Sequence, residues 1–129
     1  MDDTRLEKIR PFAALTPAER KMLARIVDEF AVPAGATIVN QGDYGYEFIV
    51  IEDGTVDVIR NGEKIDAMGP GDFFGELAVL ADGGHRNATV IATSPVSGLR
   101  LSAHDMRVVR ERMPLVGAQI DSVIAARTH

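Results

Sequence analysis

Between Val32 and Leu101, short apolar runs are cut at close intervals by glycine, and this punctuation limits the chain more than any other feature. The runs "ATIV", "EFIVIE", "TVDVIR" and "KIDAM" are bounded by "PAG", "QGD", "DG", "NG" and "GPGD". Each is too short for a helix and suits a strand. Asp53-Gly54 and Asn61-Gly62 read as two-residue hairpin turns, because both residue types tolerate the positive φ of a type I′ turn. Thr55, Asp57 and Ile59 alternate with Val56, Val58 and Arg60, as in a half-buried strand of imperfect pattern. A last pair, "TVIAT" and "SGLRLS", flanks Pro95. Many short strands with frequent turns predict an antiparallel sandwich or barrel.

Helical patterns flank this region. In "LTPAERKMLARIVDEF", Thr16 is placed as an N-cap, Pro17 suits the first helical position and Glu19 completes a capping box. Met22, Leu23, Ile26, Val27 and Phe30 then form an apolar stripe at helical spacing. Leu6 and Ile9 suggest a shorter helix before Pro11. After the strands, Ser102 and Asp105 start a helix over "HDMRVVRERM", with Met106, Val109 and Met113 on one side. Pro114 breaks it, and Val116, Ile120, Val123 and Ile124 mark a last helix. The expected division is N-terminal helices over 1–31, a β-rich body over 32–101, and C-terminal helices over 102–129, all in one domain.

A chain of 129 residues fits one such unit. It can bury a sizeable core without metal or disulfide. The absence of cysteine removes disulfides, thiolate ligands and a cysteine nucleophile. A net charge of −5 argues against nucleic acid and anionic membrane as partners. The opening "MDDTRLEKIRPF" lacks the form of a secretion signal, and no apolar run approaches the roughly 20 residues of a membrane span, so a cytoplasmic location is expected. His85, His104 and His129 are scattered without metal-ligand spacing, and no G-x-S-x-G elbow is present, so neither a metal centre nor a catalytic site is expected.

The chemistry concentrates in "FFGELAVLADGGHRNATV", residues 73–90. Glu76 sits inside an apolar run, and Arg86 follows the flexible pair Gly83-Gly84. If Gly75 lets backbone approach a ligand and 76–80 make a helical turn or two, the first amides of that turn point outward at an anion. Arg86 supplies a guanidinium fork that matches phosphate oxygens and stays protonated in a partly dry pocket. Glu76 would then face a hydroxyl rather than the anion. One arginine, a set of amides and one acid suit a ligand with a single negative charge and a free sugar hydroxyl. A nucleoside triphosphate would need more cations or a metal. Phe73 and Phe74 are read as core rather than base-stacking residues.

The segment "FGELAVLADGGHRNATV" resembles the phosphate-binding cassette of cyclic-nucleotide-binding domains, whose usual form is F-G-E-L-A-L, a short loop, then P-R-x-A-T/S-V. "QGDYGYEFIVIEDGTVDV" is similar to the family's early β-roll, with Gly42, Gly54 and Val56 in place, and "GPGDFFGE" to its approach to the cassette. The resemblance implies a mainly β fold: an antiparallel β-roll of jelly-roll type, a double-stranded β-helix, with N-terminal helices and C-terminal lid helices. It implies that Glu76, with the Gly75 amide, holds a ribose 2′-hydroxyl. Arg86 would pair with a cyclic phosphate beside the backbone amides of Ala78 and Asn87. Leu77, Val79, Ala88 and Val90 would wall the pocket, Thr89 would reach phosphate or base, and the final helix would cover the base. Arg127 is read as a solvated helix end ahead of a cation stacked on the base. His85 stands where many members have proline, which implies a less rigid loop. Asn87 replaces the usual small residue; a threonine there favours guanine in the family, so cyclic AMP is expected ahead of cyclic GMP.

The expected function is a stand-alone cyclic-nucleotide sensor without catalytic activity, acting in signal transduction by allosteric closure of its C-terminal helices. Transcription factors of the family add a helix-turn-helix, kinases a catalytic domain and channels membrane spans, none of which is found in these 129 residues. A separate protein partner or self-association is therefore expected to carry the signal. The alternative is a β-roll scaffold or interaction module that no longer binds nucleotide, for which His85 and Asn87 speak.

Overall fold

The computed structural model describes residues 2–9, 12–44, 47–75 and 85–127, excluding the side chains of Ile120, Asp121 and 123–127. A 3-10 helix over Asp3–Lys8 opens the chain, capped by Asp2, and is followed by α1 (Pro17–Ile26). Thr16 caps α1 as expected: its hydroxyl accepts from the Glu19 amide, and the Glu19 carboxylate accepts from the Thr16 amide. Eight strands follow: β1 (Asp28–Val32), β2 (Thr37–Val39), β3 (Glu47–Asp53), β4 (Val56–Arg60), β5 (Glu63–Met68), β6 (Phe73–Phe74), β7 (Thr89–Ala92) and β8 (Val96–Ser102). Two helices close the chain, α2 (Ala103–Arg112) and α3 (Pro114–Arg127). Among the described residues no helix is long and apolar enough to cross a membrane.

The strands form two four-stranded antiparallel sheets, in the orders β1-β8-β3-β6 and β2-β7-β4-β5. This is the expected β-roll with flanking helices. Two apolar cores hold it. One lies between the sheets, joining Ile49, Ile51, Phe74 and Val96 of the first to Val56, Val58, Val90 and Ala92 of the second, with Ala88 just before β7. The other lies on the outer face of the first sheet, where Phe48, Val50, Phe73, Leu99 and Leu101 meet the helices. Leu6, Phe12, Leu23, Met106, Val109 and Met113 pack there. β3 therefore has both faces covered, which is why it reads "FIVI" without alternation, as doubly buried strands do.

Three expectations are corrected. The first helical region ends at Ile26, not near residue 31. Val27 is the C-cap, and Phe30 lies in β1, paired with Gly98 of β8, because pairing with β8 overrides the helical spacing that runs on past Ile26. Asp53-Gly54 does not make a hairpin. β3 and β4 lie in different sheets, and Gly54, at φ 94°, carries the chain across so closely that an added Cβ would lie 2.2 Å from the Pro95 carbonyl oxygen. The Asp-Gly pair encodes a positive φ, not the direction the chain takes afterwards. The strands accordingly begin at Asp28, not Val32. Asn61-Gly62 behaves as expected: with φ of 53° and 82°, the pair turns β4 into β5, and Arg60 faces Glu63.

The C-terminal helices follow the sequence closely. Ser102 caps α2 through the Asp105 amide, Met106, Val109 and Met113 are buried, and Pro114 separates α2 from α3.

Candidate functional site

β6 places the start of the site. Phe73 and Phe74 pair with Val50 and Ile49 of β3 and point into the two cores, as expected of core residues. The chain then turns sharply at Gly75, which has φ 90°. A Cβ at Gly75 would lie 2.6 Å from the Glu47 carbonyl oxygen and 2.2 Å from Nη1 of Arg86. Gly75 was expected to admit a ligand, and in this structure the neighbour it admits is the arginine. Glu76, Leu77, Ala78, Val79 and the Gly83-Gly84 pair lie outside the described residues.

Arg86 comes back to Gly75 from the far side of the cassette. Among the described residues it is the one polar or charged side chain in the buried class, 8% exposed. Withdrawing a guanidinium from water costs several kcal/mol unless acceptors replace the water. One acceptor is the Glu47 carbonyl at the head of β3, which takes Nη2–H at 2.7 Å. The backbone of Arg86 is fixed as well, its N–H donating to the Asp43 carbonyl at 2.7 Å and its carbonyl accepting from the Gly42 N–H at 2.8 Å.

The residues on either side of Arg86 are tied down in turn. His85 forms a β-bridge with Tyr44, and the two rings lie 4.4 Å apart, tilted by 33°. These contacts restrain the position where proline is usual, by a different means from a pyrrolidine ring. Asn87 is exposed, and its carbonyl accepts from Arg60 Nε at 3.1 Å. Ala88 and Val90 belong to the core between the sheets. Thr89 accepts from the Gln41 N–H at 2.9 Å and keeps its hydroxyl proton to donate.

Sequence reasoning missed Glu47, whose contribution is a main-chain carbonyl that no side-chain pattern announces. It also missed Gln41, Asp43 and Arg60. The turn signal "QGD" marked the loop holding two of them, but not what the loop holds.

The arrangement is a buried cation set against a glycine turn and the first residue of β3. It can accept an anion small enough to reach Arg86, and it presents no described nucleophile or acid–base pair beside that cation.

Comparison with known proteins places this geometry. The sequence model for the cyclic nucleotide-binding domain matches residues 29–112, well over half of the chain. A cAMP-dependent protein kinase regulatory subunit of Aspergillus niger is 37% identical over 98 residues, covering 74% of this chain and 24% of that protein. A cGMP-dependent protein kinase of Plasmodium berghei is 34% identical over 113 residues, covering 86% of this chain and 13% of that protein. This chain thus spans a quarter or less of these curated relatives. The crystal structure of the Thermus thermophilus catabolite activator protein superimposes with a TM-score of 0.81 at 30% identity, over 91% of this chain and 57% of that one. The fold, the buried arginine and the sequence match agree: the chain belongs to the cyclic nucleotide-binding domain family.

Proposed function

We propose that this chain is a cyclic-nucleotide sensor that binds cyclic AMP in preference to cyclic GMP and performs no chemistry on it. The observation that carries the reading is the burial of Arg86 against Gly75. Arg86 is 8% exposed and shares the space beside Gly75, so an anion that reaches Gly75 meets the guanidinium fork at close range. The cyclic phosphate is that anion. Glu76 and the Gly75 amide hold the ribose 2′-hydroxyl, the amides of Ala78 and Asn87 assist Arg86, and Thr89 donates its remaining proton toward phosphate or base. Leu77 and Val79 line the pocket. The preference for adenine rests on Asn87, which lacks a hydroxyl.

Signalling is a shift of population. The ligand favours a state in which α2 and α3 close over the base, and it moves the equilibrium only by its preference for that state. The closed helices present a changed surface to a separate protein partner or to a second copy of the chain.

A thermal-shift screen with cyclic AMP, cyclic GMP and cyclic dinucleotides tests the reading. A ligand at a hundred times its Kd stabilises by about 2.7 kcal/mol, which is easily seen. Stabilisation by cyclic AMP at the lowest concentration is the expected result. No shift with any of them would favour a scaffold that has lost its ligand.

A further inference from the structure

The peptide segment that carries Arg86 is gripped from two loops. The loop between β2 and β3 holds it through Gly42, Asp43 and Gln41, the last donating its N–H to Thr89 Oγ1 at 2.9 Å. From the end of β4, beside the β4–β5 turn, Arg60 Nε donates to the Asn87 carbonyl at 3.1 Å.

The two loops are also clasped to each other. Gln41 Nε2 donates to Asn61 Oδ1 at 2.8 Å, and the Asn61 N–H donates to Gln41 Oε1 at 2.8 Å. This reciprocal pair gives Asn61 a use beyond its positive φ, which glycine would meet as well. Each bond is exposed and weak alone. Together they enclose the segment 86–89 on both sides.

Such enclosure matters because of the tolerance at Gly75. With Nη1 of Arg86 2.2 Å from where a Cβ would be, a small displacement of the Arg86 peptide changes where its guanidinium points. We propose, building on the nucleotide reading above, that Gln41 and Arg60 are positioning residues for the phosphate contact. They touch no ligand; they fix the peptide that carries Arg86 and so set the direction in which its N–H groups meet the phosphate oxygens.

The test uses cyclic AMP and its two phosphorothioate diastereomers, in which sulfur replaces one or the other exocyclic oxygen. Their affinity ratio reports phosphate geometry, and a merely structural role would leave it unmoved. In calorimetry, Arg60→Met and Gln41→Glu are expected to weaken cyclic AMP by roughly three- to thirtyfold, as changes remote from a ligand do, and to narrow the ratio. Arg60→Lys keeps a donor and should regain most of both. Gln41→Glu is isosteric and loses one donor, so it decides the matter if Arg60→Met fails to fold. Unchanged binding, or equal weakening of both diastereomers with the ratio intact, overturns the inference while leaving the nucleotide reading standing. A wild-type chain that binds none of the three ligands removes that reading itself.

Discussion

Gly75 and Arg86 share one space: the side chain that Gly75 lacks is replaced by the guanidinium of Arg86, whose Nη1 lies 2.2 Å from the position of the missing Cβ. Gly75→Ala would therefore meet two obstacles, a φ of 90° and a cation already in place. A non-glycine residue held in such backbone costs about 1–3 kcal/mol. Urea unfolding of the ligand-free variant should show a lowered midpoint, and calorimetry should show weakened cyclic AMP binding, because the arginine has to move.

Removing the cation should separate binding from stability. Arg86→Ala is expected to cost on the order of 2–5 kcal/mol of cyclic AMP affinity, as for one partner of a buried charge pair. Unchanged affinity in calorimetry would show that the phosphate goes elsewhere. Arg86→Leu should lose binding as well, and the melting temperature of the empty variant reports separately what the bond to the Glu47 carbonyl contributes to stability.

Gly98 answers to a different constraint. It sits in β8 beside β3, and an added Cβ would lie 2.0 Å from the Val50 carbonyl oxygen and 3.0 Å from the Phe30 ring. Backbone cannot yield as a flexible side chain does. Gly98→Ala should destabilise by about 1–3 kcal/mol, the usual range for overpacking. The denaturant midpoint should fall without a change of slope, because one added methyl hardly alters the surface exposed on unfolding.

The amino-terminal 3-10 helix is tied to the β-roll by Arg5, which pairs with Glu52 of β3 and Glu29 of β1. These carboxylates, Glu52 first, hold the Arg5 guanidinium above its ordinary pKa. A group whose folded pKa is raised contributes fully below its unfolded pKa and loses that contribution only as pH rises through the folded value. For arginine that window lies at the alkaline extreme. The cost of Arg5→Met should therefore be the same at pH 7 and at pH 10, and it should shrink in high salt. Arg5 is 39% exposed, so the cost should be about 1 kcal/mol or less. Denaturation curves at two pH values and two salt concentrations check both statements.

Local chemistry was legible where one residue's preference decides the outcome. Thr16 and Ser102 cap their helices, Pro114 separates α2 from α3, and Asn61-Gly62 turns a hairpin. What the sequence hid was pairing at a distance. β1 is masked because Val27 and Phe30 continue a helical stripe, and only pairing with β8 settles Phe30 as strand. β6 is two residues long, and Phe73 and Phe74 carry no period from which to read it. The Asp53-Gly54 pair shows the same limit, since a turn residue fixes a dihedral angle while the sheet that receives the next strand depends on the whole fold.

For the site, Arg86 and Gly75 stood out through charge and turn chemistry, and the structure brings them together. Asn87, Ala88 and Thr89 follow Arg86 and are held by Arg60, the inter-sheet core and Gln41 in turn. Glu76, Leu77 and Ala78 lie outside the described residues. The supporting groups at Glu47 and Asp43 act through main-chain carbonyls, which every residue possesses and no pattern distinguishes.

One peptide unit joins the two halves of this molecule. Glu47 offers its carbonyl to Arg86, and the next residue, Phe48, sends its ring to the opposite side, 5.2 Å from Phe73 and among the side chains of α2. A single residue step along β3 therefore separates the acceptor of the buried cation from a ring packed beneath the helices, and the two faces of that strand serve the site and the helical layer at once.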